Sequence, residues 1–410
     1  MILLVSFNPG WGAARDAGKD NFVRMGAAQV NITPRNPAMM AGYGARETPS
    51  TGVHDSLYAS AFYFEGEKER TVLITADLIG FSFDFTEEMR ERIASKTGIP
   101  SRNIILVAAH NHGGPALGSQ EPVNAYTEEL KHQLADLAVK ASKNPQPFLV
   151  GAGKGHCAQN INRRAGFSKG EIWLGRNQEG PCDHELAVVK FETTDHKPLA
   201  VLINWPCHGT ATGDSNYLIS GDWPGAAARY VKKELGDHVI VGVTAGASGD
   251  INPIYGPGNV FREVEAVGFH VGHEAVRVLN ETDTRPAKTL QIRENMVTLP
   301  GKKTAPDHFP RTSYEPGPDT GIRLSALKIG NVVLAGISGE LFTEIGMTIK
   351  KQSPFTHTIV LTHCNGSSGY ICTDSAYPKG GYEVKVTRLM PGAEKPLVSE
   401  TLHLIGSLED

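Results

Sequence analysis

The side chains best able to do chemistry lie in a few short groups. His110 and His112 flank one asparagine in "AAHNHGGP" and are followed by Gly113, Gly114 and Pro115. In an extended backbone, residues two apart face the same side, so both imidazoles could reach one ion or one substrate. The glycines would let the backbone approach closely. Zinc needs three or four ligands, so an isolated His-x-His reads first as a hydrogen-bonded turn. His208 in "NWPCHGT" and Glu340 in "ISGELFT" offer the missing donors. Taken singly, His208 reads as a structural histidine and Glu340 as a glutamate favoured at a helix N-terminus. Taken together, histidines and a carboxylate from separate segments match the donor set of catalytic zinc centres, which keep one position open for water.

Other groups are less specific. "FHVGHEAVRVLN" places His270 and Glu274 at helical spacing with His273 beside them, but Arg277 stands where H-E-x-x-H requires a second histidine. That pattern predicts a helix surface. "TAGASGDINP" lacks the G-x-S-x-G spacing of a serine nucleophile, and no lysine follows its glycines as in a phosphate loop. Five cysteines without a C-x-x-C pair exclude a cysteine zinc site and a disulfide framework.

These residues need elements to position them. Six apolar, β-branched runs recur: "TVLITADLIG", "NIILVAAHNH", "LAVLINWPCH", "HVIVGVTAGASGD", "NVVLAGISGE" and "TIVLTHCNGSSG". Helical patterns such as "TEEMRERIASKTG", "TEELKHQLADLAVKAS" and "WPGAAARYVKKELG" lie between several of them. The alternation predicts an α/β fold: a mixed, largely buried β-sheet core flanked by helices. Asp77, His110, His112, His208, Asp250 and Glu340 all sit where an apolar run stops. That places the site at the carboxyl ends of strands, where loops project side chains into a crevice. "HFPRTSYEPGPDTG" interrupts the sheet pattern and is expected to cover part of the site.

The bulk numbers narrow the function classes. With 410 residues, 40% hydrophobic and 20% charged, the chain can bury a large core. A net charge of -4 gives no electrostatic case for nucleic acid, and no apolar run is long enough to span a bilayer. "MILLVSFNPG" lacks the basic flank of a signal peptide. Residues 1–24 are expected to be an irregular N-terminal segment; a signal remnant is one reading of it, which tilts the location toward secretion or the periplasm. A single catalytic domain is expected over 25–410.

The motifs resemble, in order, those of the neutral/alkaline non-lysosomal ceramidase family. "AAHNHGGP" resembles its His-Thr-His-Ser-Gly-Pro, "NINRR" its Asn-Ile-Asn-Arg-Ser, and "NWPCHGT" its strand-ending histidine segment. "ISGELFT" resembles its Pro-Gly-Glu-x-Thr, and "GYICTDSAYPKGGYE" its Tyr-x-Thr-Thr segment with a second tyrosine twelve residues on. The resemblance covers most of the chain and implies the catalytic domain without the family's carboxyl-terminal immunoglobulin-like domain. It implies Zn2+ held by His110, His208, Glu340 and Tyr370, with His112, Arg163 and Tyr382 facing the reacting group. His112 would shuttle a proton, while Tyr382 or Arg163 would donate to the developing oxyanion. The implied activity is zinc-dependent hydrolysis of the amide of an N-acylated, ceramide-like sphingolipid, a small-molecule substrate. One departure stands out: Asn252 occupies the place of a family serine regarded as important for ceramide cleavage. It keeps two alternatives open, a zinc enzyme hydrolysing or eliminating on a polar or carbohydrate-derived substrate, and a non-catalytic metal- or ligand-binding relative.

Overall fold

The structure, a computed structural model, describes residues 22–409; most of the expected irregular N-terminal segment lies outside them. The six apolar runs form the strands Arg70–Ala76, Ile104–Ala108, Pro198–Trp205, Ile240–Ala245, Val332–Ile337 and His357–Leu361. Nearly every residue in them is buried, as expected of strands covered on both faces.

The main sheet runs in the order Ile240–Ala245, Pro198–Trp205, Glu185–Thr193, Gln146–His156, Arg24–Asn31, Tyr58–Glu65, Arg70–Ala76, Ile104–Ala108, with Arg285–Pro286 beside the fourth strand. Along this path the pairs are antiparallel except at the two ends, where Pro198–Trp205 pairs with Ile240–Ala245 and Arg70–Ala76 with Ile104–Ala108 in parallel. The sheet curls until its ends touch. Ser60 Oγ donates to the Val241 carbonyl at 2.9 Å, and a Cβ on Gly242 would sit 2.7 Å from Thr75 Oγ1. A second sheet, Leu290–Lys302, Pro316–Ile329, Val332–Ile337 and His357–Leu361, packs against the first. Phe62, Phe64, Phe148 and Phe191 from one sheet, with Leu327, Ile329, Leu334 and Ile359 from the other, fill the space between.

Helices cover the outer faces. Phe83–Thr97 and Asn124–Ser142 close one apolar cluster, Asp222–Leu235 and Phe261–Glu281 another, and Thr343–Gln352 with Glu394–Gly406 a third. The first helix begins earlier than its threonine suggested, because Ser82 caps it by accepting from Phe85 N. None of the described helices is long and apolar enough to cross a membrane. His270 and His273 lie on the exposed face of Phe261–Glu281, and Glu274 accepts from His156 N, so that segment is a helix surface.

Candidate active site

The two parallel ends of the curled sheet deliver His110 and His208 to one place. Beyond strand Ile104–Ala108 the chain turns through His110 in the left-handed region, φ 59°. Only a few per cent of residues with a Cβ adopt this strained conformation. The same-face argument from a strand therefore does not apply: His110 and His112 lie past the strand, and the kink brings their rings to 5.1 Å. The two histidine loops are tied backbone to backbone. His112 N donates to Gly209 O at 2.9 Å, and Gly209 N donates to His110 O at 3.1 Å. Gly113 passes so close to the segment before helix Asp222–Leu235 that a Cβ would meet Ser220 O at 2.5 Å. Trp223 Nε1 holds the His208 carbonyl at 2.8 Å, and buried Asp222 accepts from Ala211 N and Thr212 N.

Glu340 and Tyr370 arrive from the second sheet. They pair in a two-residue parallel ladder, Glu340–Leu341 with Tyr370–Ile371. The helix expected to open at Glu340 begins three residues later, at Thr343. Glu340 Oε2 lies 3.5 Å from His110 Nε2 and 3.3 Å from His208 Nε2. The opposite nitrogens of these rings face backbone carbonyls, His110 Nδ1 at 2.7 Å from Ile79 O and His208 Nδ1 at 2.7 Å from Ser248 O. A carbonyl accepts only, so each Nδ1 carries the proton and each Nε2 presents a lone pair inward, as in metal-ligating histidines.

The arrangement fits a cation. Donor atoms of His110, His112 and His208 all lie within 4.8 Å of one another. His110 Nε2, both ring nitrogens of His112 and Glu340 Oε2 are buried without a hydrogen-bond partner. Buried polar groups are costly unless paired or bound to a metal. The geometry thus admits His112 as a third imidazole donor, a possibility that its expected role as proton carrier had set aside. His363, unremarked in the sequence, stacks on His110 with centroids 3.6 Å apart and has its own buried, partnerless Nε2.

Arg163 comes from the strand Asn160–Gly166, which pairs with Ile251–Pro253. It donates to His208 Nε2 at 3.1 Å and to the Tyr370 hydroxyl at 3.0 Å. Glu383, next to Tyr382 in the chain, accepts from Arg163 Nε and Arg164 Nη1, both at 2.7 Å. No sequence signal had marked Glu383, although it stands in the quoted "GGYE". Tyr382 packs edge-on to Tyr370 at 5.8 Å and to Trp173. Trp173 in turn meets His308, the first residue of "HFPRTSYEPGPDTG"; the segment expected to be one loop is irregular only as far as Glu315, and from Pro316 it belongs to the strand Pro316–Ile329. Asp77 and Asp250 serve structure instead: Asp77 accepts from Tyr58 N, and Asp250 from Thr343 N and Asn162 Nδ2.

Charge follows from this packing. Burial, then Arg163, lowers His208 to about 4. Burial, then His110, holds His112 well below its usual value, so it is a neutral imidazole. Burial opposes charge on Glu340, and only positive charge at His110 and His208 would outweigh it and hold the carboxyl well below its usual range. Burial and the nearby Glu340 push the Tyr370 phenol well above its usual value. A cavity of about 500 Å³ lies alongside. Its lining includes Ile79, whose carbonyl holds His110, and Ala41, beside the Gly42 that touches His112, together with Phe85, Leu117, Glu88 and Lys131.

Residues 23–259 match the family model described as neutral/alkaline non-lysosomal ceramidase, N-terminal. A neutral ceramidase of Oryza sativa subsp. japonica is 26% identical over 223 residues, covering 51% of this chain and 28% of the relative. A neutral ceramidase of Mycobacterium tuberculosis is 25% identical over 220 residues, covering 48% of this chain and 33% of the relative. The matched stretch is thus about a third of these relatives' length or less. The crystal structure of neutral ceramidase from Pseudomonas aeruginosa has the same fold: TM-score 0.77 at 17% identity, over 95% of this chain and 75% of that one. Glu340, Tyr370 and Tyr382 lie beyond the stretch matched by the family model.

Proposed function

The chain belongs to the neutral/alkaline non-lysosomal ceramidase family, and on that premise we propose that it is a zinc-dependent hydrolase cleaving the amide of an N-acylated, ceramide-like substrate. The observation that carries this reading is the convergence of three imidazoles and the Glu340 carboxylate, with buried, partnerless atoms on His110, His112 and Glu340. Imidazole with carboxylate and no thiolate is a donor set suited to catalytic zinc. His110, His208 and Glu340 would hold the ion, with Tyr370 or His112 completing the set. When bound, zinc supplies a water acidified to near neutral pH and polarises a carbonyl.

The chain's own residues then have distinct tasks. Neutral His112, both nitrogens partnerless, can take a proton and return it to the leaving amine. Arg163, clamped by Glu383, fixes the Tyr370 hydroxyl and faces His208. Tyr382 carries a hydroxyl whose pKa burial and Glu340 raise, so it stays a donor. Ile79, Phe85 and Leu117 of the adjoining cavity offer apolar surface for an acyl group.

A second reading, the same centre acting on a polar substrate, is favoured by Asn252 in place of the family serine and by Glu88 and Lys131 in that cavity. Metal analysis and a substrate panel test both. The expected result is stoichiometric zinc in the wild type, lost with at least about 100-fold of the activity in His110→Ala. Turnover should vanish with a chelator and return with zinc. A metal-free active protein, or a fully active His110→Ala, refutes the centre, and cleavage of acylated polar compounds but not ceramide selects the second reading.

A further inference from the structure

Arg163, expected to stabilise the developing oxyanion, has most of its donors engaged by the protein itself. A guanidinium has five N–H groups. Nε is given to Glu383, Nη1 to His208 Nε2 and Asn252 Oδ1, and Nη2 to the Tyr370 hydroxyl. One N–H is left, on the nitrogen that already serves Tyr370, and an ion held by His208 Nε2 would release one more on Nη1.

Asn252 is in the opposite condition. Its Oδ1 accepts from Arg163 Nη1 and from Thr210 Oγ1, each at 3.4 Å. Because a guanidinium has no lone pair, the oxygen must face Arg163, which fixes the carboxamide orientation. The two N–H groups of Nδ2 therefore point away from Arg163. No described residue accepts from them, and Nδ2 is not among the sealed polar atoms of this half-buried side chain, so it reaches solvent. Backbone pairing holds the residue rigidly: Asn252 lies opposite Ile161 on the strand beside Arg163. A carboxamide with two unused donors is thus held, through its Oδ1, by the same guanidinium nitrogen that meets His208 Nε2.

We propose that Asn252 is a catalytic residue whose Nδ2 donates to the carbonyl oxygen of the scissile acyl group. This rests on the amide-hydrolase reading and adds the oxyanion donor to it. Water oxygen adds to the carbonyl carbon, and the C=O electron pair moves onto the oxygen facing Nδ2. The pair's return expels the amine, which takes the proton released by the water. Asn252 gives hydrogen bonds throughout and exchanges no proton. A serine here could accept as readily as donate, whereas Nδ2 can only donate. The replacement therefore suits a group that accepts.

The test compares Asn252→Ala, Asn252→Asp and Asn252→Ser with the wild type, each checked for zinc content and melting temperature. Preorganised oxyanion donors are worth about 100- to 1,000-fold in kcat. Alanine and aspartate should lower kcat about 100-fold with KM within about threefold. Serine should retain more activity than either, with zinc content and melting unchanged in all three. Calorimetry with octanoate, whose carboxylate occupies the acyl oxygen's place, reads the same contact without turnover. Asn252→Asp should weaken octanoate at least about tenfold, by replacing a donor with a like charge. Aspartate or alanine variants with kcat within twofold of the wild type, or octanoate affinity unchanged, overturn the proposal. Loss of zinc or of folding in all three variants overturns it too, since Asn252 is then structural. If the wild type cleaves no N-acyl compound, the amide reading fails by itself, and the octanoate ratio alone decides whether Asn252 is a donor.

Discussion

Replacing Glu383 with glutamine tests how the site holds Arg163. Glu383 is 1% exposed and bridges two guanidiniums at 2.7 Å. Burial disfavours its charge, but Arg163 and Arg164 outweigh that and hold its carboxyl below the usual range. Glutamine keeps one acceptor and turns an N–H2 toward the other guanidinium, leaving buried positive charge unpaired. Breaking a buried pair in this way costs about 3–5 kcal/mol. Unfolding entropy near 60 °C is about 2.1 cal/mol/K per residue, or about 0.9 kcal/mol/K for 410 residues. The expected fall in melting temperature is therefore about 4–6 °C. Because the folded carboxyl titrates below its unfolded value, its contribution is complete above the unfolded pKa and is lost as pH falls through the folded one. The gap between wild type and Glu383→Gln should thus be full at pH 7 and narrow below about pH 4. Arg163 loses its anchor on Nε, so kcat should fall about 10- to 100-fold, equivalent to about 1.4–2.7 kcal/mol, with zinc retained because no ligand is touched. Scanning calorimetry across pH, kinetics and metal analysis read these together. Asp136→Asn, which breaks the exposed pair with Lys96, is the control and should shift stability by under about 0.5 kcal/mol. A Glu383→Gln protein melting within 1 °C of wild type and keeping kcat within about twofold would show that Arg163 needs no such clamp.

Two further outcomes follow from the packing. Burial pushes the Asp77 carboxyl up to about 7, although it accepts from Tyr58 N. The folded state therefore keeps a proton that the unfolded chain has released between about pH 4 and 7, and stability falls over that window by about 1.4 kcal/mol per pH unit. Asp77→Asn keeps an acceptor for Tyr58 and should remove this slope, so the variant gains on the wild type as pH rises to 7; parallel melting curves would contradict it. At Gly42, φ is 97° and a Cβ would lie 2.4 Å from His112 Nδ1. Gly42→Ala should lower kcat at least about tenfold by displacing that ring, with zinc analysis showing whether metal binding follows.

How far the sequence reached can be judged residue by residue. The six strands were legible because a strand buried on both faces is apolar throughout, and the chemistry at their ends stood out because a strand has no structural need of it. The pairing directions were not legible. An apolar run carries no mark of parallel or antiparallel neighbours, and the antiparallel middle and curled ends emerge only from contacts such as Ser60 with Val241. The left-handed turn at His110 was equally hidden, since nothing in the residue type announces a positive φ. Glu383 and Asn252 illustrate a different limit. Their partners Arg163 and Thr210 lie far away in the chain, and a hydrogen bond across such a separation leaves no local pattern. Asp77 and Asp250 show the converse, residues of suggestive type whose carboxylates hold backbone amides.

The backbone ties between the His110 and His208 loops, and the ladder joining Glu340 to Tyr370, bear on the order in which the molecule can be made. Arg163 meets its partners Tyr370 and Glu383 across 207 and 220 residues. During synthesis the first histidine emerges long before the tyrosines and glutamate that must surround it. The nascent first sheet therefore carries imidazoles with lone pairs and no fixed counterpart, and the centre is completed only when the second sheet docks. On the proposed reading, metal capture should accordingly be one of the last events in maturation, and retained metal a report that the two sheets have docked.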